Sequence, residues 1–268
     1  MQANWKKWVL NNLLRGVPWR DIYSTLIQSG FTHTQAASVL GQNIPASELG
    51  ALAQAERSRY PQPAFIQSPP ESPDLTALGG HKAALYTVQN FLAEEDCDAI
   101  VALSKQHLRP STITTGDDDE VRTFRTSSTC DLLTLSDQLA KKVSDHICHY
   151  FGFTQGADEP IQAQHYQEGQ EFKAHTDYFE PGTQEFTKYA GSLGQRTWTC
   201  MVYLNDVSHG GETDFVNLGI SITPKKAMAV IWNNLYETGE PNPDTLHHAR
   251  PVIKGEKSVI TQWFRTAR

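Results

Sequence analysis

The feature that most restricts this chain is an order of patterns: helical periodicity comes first, then only short strand-like runs to the end. After residue 160 these runs fall at 161–167, 171–178, 197–204, 212–216, 219–222, 227–233, 244–253 and 257–265, separated by turns rich in Pro, Gly and Asn. Short runs at this spacing pair as antiparallel strands, and so long a set closes into a sandwich or a barrel. Ahead of them, "ALYTVQNFL" reads as a strand and "AEEDCDAIVALSKQHL" as an amphipathic helix, with Ala99, Ile100, Leu103 and Leu108 on its inner side. "STITTGDDDEVRTFRTSSTCDLL" reads as strand, acidic loop, strand, with Asp117–Glu120 a solvated hairpin tip. "LSDQLAKKVSDHICHYFG" is a second helix. The class is α+β.

Residues 1–50 have a different texture and read as three short helices. Trp5, Trp8, Val9 and Leu13 recur at helical spacing before the stop Arg15-Gly16, and Pro18 opens a second helix striped with Ile22, Tyr23, Leu26 and Ile27. Gly30 closes it, and Thr32 with Gln35 forms a capping box ahead of Ala36, Val39 and Leu40. A bundle this small is marginal alone, so it packs on the rest of the chain or recruits a protein partner. "RSRYPQPAFIQSPPESPDLTALGG", with five prolines and a closing Gly pair, reads as a linker. The expected organisation is a helical segment at 1–50, a linker at 51–80 and a main domain at 81–268.

A net charge of −7 argues against a general nucleic-acid-binding surface. No apolar run is long enough for a membrane span, and the N-terminal "MQANWKKWVLNNLLRG" lacks a signal peptide's apolar core and cleavage site. Cys97, Cys130, Cys148 and Cys200 form no CxxC pair and read as free thiols, so the expected location is the cytoplasm.

The chemistry concentrates in "QHYQEGQEFKAHTDYF", where His175 and Asp177 stand two apart in a strand-like run and share a face. Two ligands hold a reactive metal poorly, and the third candidate is His247 or His248 in "PDTLHHARPVIKGEKSVITQWFRTAR". Two imidazoles and one carboxylate leave three adjacent coordination positions open, which suits Fe(II) binding a bidentate cosubstrate and dioxygen together. If that cosubstrate is a 2-oxo diacid, its far carboxylate needs a buried cation. Lys257, past the turn "KGE", can return to the interior to provide one.

At this point the chain resembles the 2-oxoglutarate- and Fe(II)-dependent dioxygenases, and among them the prolyl 4-hydroxylase-like family. Members read close to YxxGxxYxxHxDYF, GGQRxxTxxxYLNDVxxGGETxFP and LHxGxPVxxGxKW; this chain has "YQEGQEFKAHTDYF", "LGQRTWTCMVYLNDVSHGGETDFV" and "LHHARPVIKGEKSVITQWF". Upstream, "VQNFLAEEDCDAIVAL" and "RTSSTCDL" match the family's opening, so the resemblance runs from about residue 86 to the end. It implies a double-stranded β-helix, or jelly roll, with supporting helices. It implies iron ligands His175, Asp177 and His247, the last chosen over His248 by its spacing to Pro251. It also implies Lys257, Thr213 and Tyr166 around 2-oxoglutarate, and Arg196, Arg125, Trp263 and Phe172 on the substrate side.

The implied reaction consumes 2-oxoglutarate and O₂ and hydroxylates an unactivated C–H bond, most readily that of a prolyl residue in a peptide or protein, with ascorbate as a reductant. Related halogenases lack the carboxylate at the position of Asp177, so its presence favours hydroxylation. Phe172 stands where many peptide-hydroxylating members carry tyrosine. Ala249-Arg250 replaces a small pair, and Ser258 replaces an aromatic residue. These departures keep a free amino acid or small metabolite open as substrate. A third possibility is a non-catalytic module that binds a partner. The loop 180–195, with Gly182, Gly191 and Gly194, is expected to serve as a lid.

Overall fold

A computed structural model describes residues 3–29, 31, 33–45, 47–48, 74–112, 124–132, 138–152, 159–190 and 193–266. The proline-rich stretch 51–73, the acidic run 117–120 and the Thr32 cap lie outside the described residues.

Three helices open the chain: α1 (Ala3–Leu14), α2 (Trp19–Gln28) and α3 (His33–Leu40). Gly16 ends the first turn sequence at φ 77°, a conformation that a Cβ penalises, and Pro18 immediately precedes α2. Val9, Ile22, Tyr23, Leu26, Phe31, Ala36, Leu40 and Ile44 form a small core of their own.

The strands are β1 (Leu75–Ala77), β2 (Leu85–Val88), β3 (Arg109–Pro110), β4 (Ser128–Asp131), β5 (Gln162–Tyr166), β6 (Phe172–His175) and β7 (Arg196–Tyr203). They continue as β8 (His209–Gly210), β9 (Thr213–Phe215), β10 (Ile220–Ile222), β11 (Ala229–Asn233), β12 (His247–Ala249), β13 (Val252–Lys254) and β14 (Lys257–Arg265). An eight-stranded sheet runs β1-β2-β11-β7-β14-β5-β4-β3, a four-stranded sheet runs β10-β9-β12-β6, and β13-β8 forms a short ribbon. All the registered strand pairs are antiparallel.

Two expectations about element bounds need correction. Residues 75–77, expected inside the linker, form the edge strand β1, because Leu75-Thr76-Ala77 can extend the large sheet along β2. The single run expected at 244–253 is broken into a turn at Pro243–Thr245, β12 and β13, with Pro251 between the two strands.

Helices α4 (Glu94–Lys105) and α5 (Gln138–Tyr150) cover one face of the large sheet. Strand alternation sorts the residues. Trp198, Cys200, Val202, Ile231, Ile260 and Phe264 meet Ile100, Val143 and Ile147 on the helix side. Met201, Tyr203, Val230, Trp232 and Val259 point the other way and meet Phe215, Ile222 and Ala249 of the small sheet. All four cysteines are buried, and none forms a disulfide among the described residues. Among the described residues no helix is long and apolar enough to cross a membrane.

The same alternation supplies polar groups to the inner face. On β14, residues 257, 259, 261 and 263 share one side, and the register sets Lys257 opposite Tyr166, Val259 opposite Gln164 and Thr261 opposite Gln162. A strand buried on both faces would ordinarily read as continuous hydrophobics; β14 instead carries Lys, Thr and Trp inward. That is the mark of a lined cavity.

Candidate active site

His247 lies on β12 directly opposite His175 on β6, so antiparallel register alone brings two imidazoles together from 72 residues apart. Asp177 stands on the bend just after β6. The expectation that it shares a strand face with His175 is therefore corrected: the strand stops two residues early, and the bend turns the carboxylate inward. His175 Nε2 is 3.8 Å and His247 Nε2 is 3.9 Å from Asp177 Oδ1. One ligand atom from each residue lies within 4.8 Å of the other two.

The surrounding hydrogen bonds decide what those atoms can do. His175 Nδ1 is 2.8 Å from the Lys173 carbonyl, and His247 Nδ1 is 3.0 Å from the Thr245 carbonyl. A carbonyl only accepts, so each Nδ1 carries a proton, which leaves Nε2, on the side of Asp177, as the atom that can ligate. Thr199 Oγ1 donates to Asp177 Oδ2 at 2.8 Å, and the Asn234 amide donates to Thr199, leaving Oδ1 for the shared point. Burial drives the His175 pKa well below its ordinary value, with His247 adding to the effect. Burial raises Asp177, but His247, His175 and Arg196 outweigh it and hold the carboxyl below its usual range. A divalent cation would take the two Nε2 atoms and this carboxylate as its ligands. The residues fit a metal ion. Thr199→Val is expected to weaken Fe(II) or Co(II) binding about 10–100-fold while the fold persists, read by metal titration with circular dichroism as control.

His248, the alternative ligand, points away, and its Nε2 lies 2.8 Å from Glu171 Oε2. The two histidines divide because neighbouring strand residues face opposite sides.

Lys257 is 1% exposed, and its Nζ donates to the Gly211 carbonyl at 2.7 Å and to Thr213 Oγ1 at 3.4 Å. No ion pair to it occurs among the described residues. Burial lowers its pKa to about 7, against weaker upward pulls from Glu212 and Asp214. A buried amine with no carboxylate beside it is costly unless an anion completes it. Tyr166 and Tyr203 flank the amine, ring centroids 5.3 and 5.4 Å away. The Tyr203 hydroxyl donates to Thr213 Oγ1 at 2.7 Å, and the Tyr166 hydroxyl donates to Gln164 Oε1 at 2.9 Å.

The metal-ligand set and Lys257 open on one cavity of about 610 Å³, also lined by Tyr166, Thr213, Arg196, Arg125, Trp263 and Phe172. The structure thus gathers all ten residues singled out in the sequence. Arg125 Nη2 donates to Gln162 Oε1 at 2.9 Å, and its guanidinium sits 4.7 Å from the Phe172 ring centre. Phe172 in turn stacks on His175, centroids 3.5 Å apart. Arg196 is less available than its place suggests: Glu159 accepts from its Nε and Nη2, both at 2.7 Å, and it stacks on Trp263 at 4.2 Å.

Sequence reasoning missed Glu159, Thr199, Gln164, Tyr203, Asn234 and Arg265. The available signal was parity: Thr199, Tyr203 and Thr261 share inward positions with recognised residues. Glu159 precedes β5, outside any periodic pattern. It also lies 2.7 Å from Arg265 Nε, off the line of a hydrogen bond. Glu159→Ala leaves both guanidiniums without their shared carboxylate, so about 3–5 kcal/mol of stability should be lost in chemical denaturation.

A family model described as the 2OG-Fe(II) oxygenase superfamily matches residues 161–265. The chain is 33% identical over 205 residues to prolyl 4-hydroxylase 5 of Arabidopsis thaliana, covering 68% of each protein. It is 27% identical to prolyl 4-hydroxylase 2 of the same plant, over 85% of this chain and 81% of that protein. Among solved structures, the viral collagen prolyl hydroxylase of Paramecium bursaria Chlorella virus-1, in complex with 2OG, superposes with a TM-score of 0.52 at 26% identity. That match spans 67% of this chain and 94% of the viral one.

Proposed function

The chain belongs to the prolyl 4-hydroxylase-like 2OG-Fe(II) oxygenases, and from that premise we propose that it hydroxylates a prolyl residue of a peptide or protein in the cavity between its two sheets. It is a dioxygenase that depends on iron and 2-oxoglutarate. In this reading the two sheets are the halves of a double-stranded β-helix, with the three N-terminal helices as an added segment. The observation that carries the proposal is a three-ligand cluster sharing one cavity with a buried lysine that has no carboxylate ion-paired to it among the described residues.

His175, Asp177 and His247 would hold Fe(II), with both Nδ1 protons fixed on backbone carbonyls and Asp177 oriented by Thr199. The bound iron, 2-oxoglutarate and O₂ supply the oxidation: the diacid becomes succinate and CO₂, one oxygen atom enters the succinate, and the other converts a substrate C–H into C–OH. Lys257 and Thr213 would take the far carboxylate, and Tyr203 orients the Thr213 hydroxyl. Tyr166, Met201 and Val259 line the cavity and are buried, which shields that ion pair from water. Arg125, Phe172, Trp263 and Arg196 would face the substrate. Their rings and planar guanidiniums suit a prolyl ring on an extended backbone.

Phe172 supports a second reading, the same oxidation of a free amino acid or small metabolite, because a hydroxyl common among peptide-hydroxylating members is missing there. The deciding experiment incubates the full chain with Fe(II), 2-oxoglutarate and O₂ against a proline-containing peptide library and an amino-acid mixture. Peptides gaining one oxygen atom, only with iron and 2-oxoglutarate both present, support the leading reading. Oxygen gain confined to free amino acids supports the second. Absence of substrate-dependent succinate in both arms overturns both.

A further inference from the structure

The three-helix head lies outside the family resemblance, yet it touches the rim of the catalytic cavity. The contact falls at Gly182, in the loop that follows the metal-ligand bend. Gly182 has φ 83°, and a Cβ built there would stand 2.8 Å from both Cε2 and Cζ of Phe31. Phe31 is 3% exposed, meets Trp5 edge-on at 5.0 Å, and its amide donates to the Leu26 carbonyl. The ring is therefore held by the head's own core while one edge rests on the loop backbone. Glycine at 182 meets two demands at once: a positive φ, and room for an aromatic ring against the main chain.

The rest of the loop is fastened to the barrel. Gln195 exchanges hydrogen bonds with both backbone groups of Phe179, at 2.8 and 2.7 Å. Arg265 donates to the Tyr189 carbonyl at 3.1 Å and the Gly194 carbonyl at 2.7 Å, beside the π-helical turn Phe186–Ala190. Phe31 closes on the opposite corner. Between these fixings lie Glu180, Glu185 and Tyr189, which line the cavity.

We propose that the N-terminal head is part of the substrate entrance, with Phe31 as a positioning residue that seats on Gly182 and holds the 180–190 segment against the cavity mouth. The head's consequence for substrate affinity rests on the peptide-hydroxylase reading. Its effect on loop order does not.

The test uses the full chain with Phe31→Ala, Gly182→Asn and the double variant. Asn tolerates positive φ better than other side chains, so its main effect is to place a Cβ against the ring. Hydrogen exchange of amides 183–190, measured without substrate, is expected to quicken about tenfold in either single variant, as loss of local packing lowers the cost of opening. In the Phe31→Ala background, Gly182→Asn is expected to add less than twofold, because the ring it would strike is gone. Phe31→Leu should restore most of the protection. Peptide KM should rise about as much as exchange does, while kcat stays within about twofold and 2-oxoglutarate affinity is unchanged. Should Phe31→Ala unfold the head, quickened exchange at 183–190 still supports the proposal. Unchanged exchange, or fully additive effects in the double variant, overturns it. If exchange responds as expected but no peptide is turned over, the loop contact stands and the substrate reading fails.

Discussion

Lys257→Met is expected to lose 2-oxoglutarate binding by roughly two to three orders of magnitude while the ligand-free protein becomes no less stable at pH 7. Truncating one partner of a buried, hydrogen-bonded charge pair costs about 2–5 kcal/mol of binding, and here the cosubstrate's carboxylate would be the group left alone. The stability side follows from the same burial. The Lys257 pKa of about 7 lies below that of a lysine in the unfolded chain, near 10.4. Between those values the unfolded chain carries one more proton than the folded protein. Ligand-free stability attributable to this residue therefore rises with pH, by at most about 1.4 kcal/mol per unit, and is flat below pH 7 and above the unfolded value. Lys257→Met removes that slope. Binding runs the opposite way, because a dianion prefers the ammonium: affinity should be level below pH 7 and fall towards tenfold weaker per unit above it. Calorimetry in buffers of different ionisation enthalpy should show proton uptake on binding at pH 8. Its absence would mean that the amine is already charged in the free protein.

His247→Ala should abolish turnover and weaken metal binding by on the order of a hundredfold or more, above the range set by an outer hydrogen-bond partner. His248→Ala should leave metal affinity within about threefold and lose only the Glu171 contact, a partly exposed pair worth about 0–1 kcal/mol. Co(II) absorption titrations of the two variants provide the comparison, and iron-dependent succinate release gives the activity. Equal losses in both would show that the ligand assignment is wrong.

The metal ligands and the lysine were legible because their chemistry is scarce and their motifs ordered: HTD, then LHH, then GEK at intervals that strands can bridge. Strand parity allowed only one of His247 and His248 to reach the metal, and the resemblance to the family motif, through the spacing to Pro251, chose His247. Arg196 was legible as a position but not as a state. Its guanidinium is committed to Glu159 and Trp263, and nothing in the local pattern of residue 159 announces that pairing. Phe172 was legible as a departure. Only the coordinates show it wedged between His175 and the Arg125 guanidinium, where its face has an electrostatic role that a count of motifs cannot reveal.

By itself the sequence determined which side chains could make a site: residue type decides ligand chemistry, and period-two alternation decides which neighbours face together. Tertiary structure alone decided the distances that give those side chains their protonation states. Lys257 is a weak acid near pH 7 because strands far apart in the chain remove its water, and Asp177 presents its carboxylate from the bend that follows β6 rather than from the strand itself. The same holds for Phe31, a core residue of the helical head that the fold sets against a glycine at the cavity mouth. Desolvation and contact depend on what surrounds a group in space, and the order of residues along the chain does not contain that.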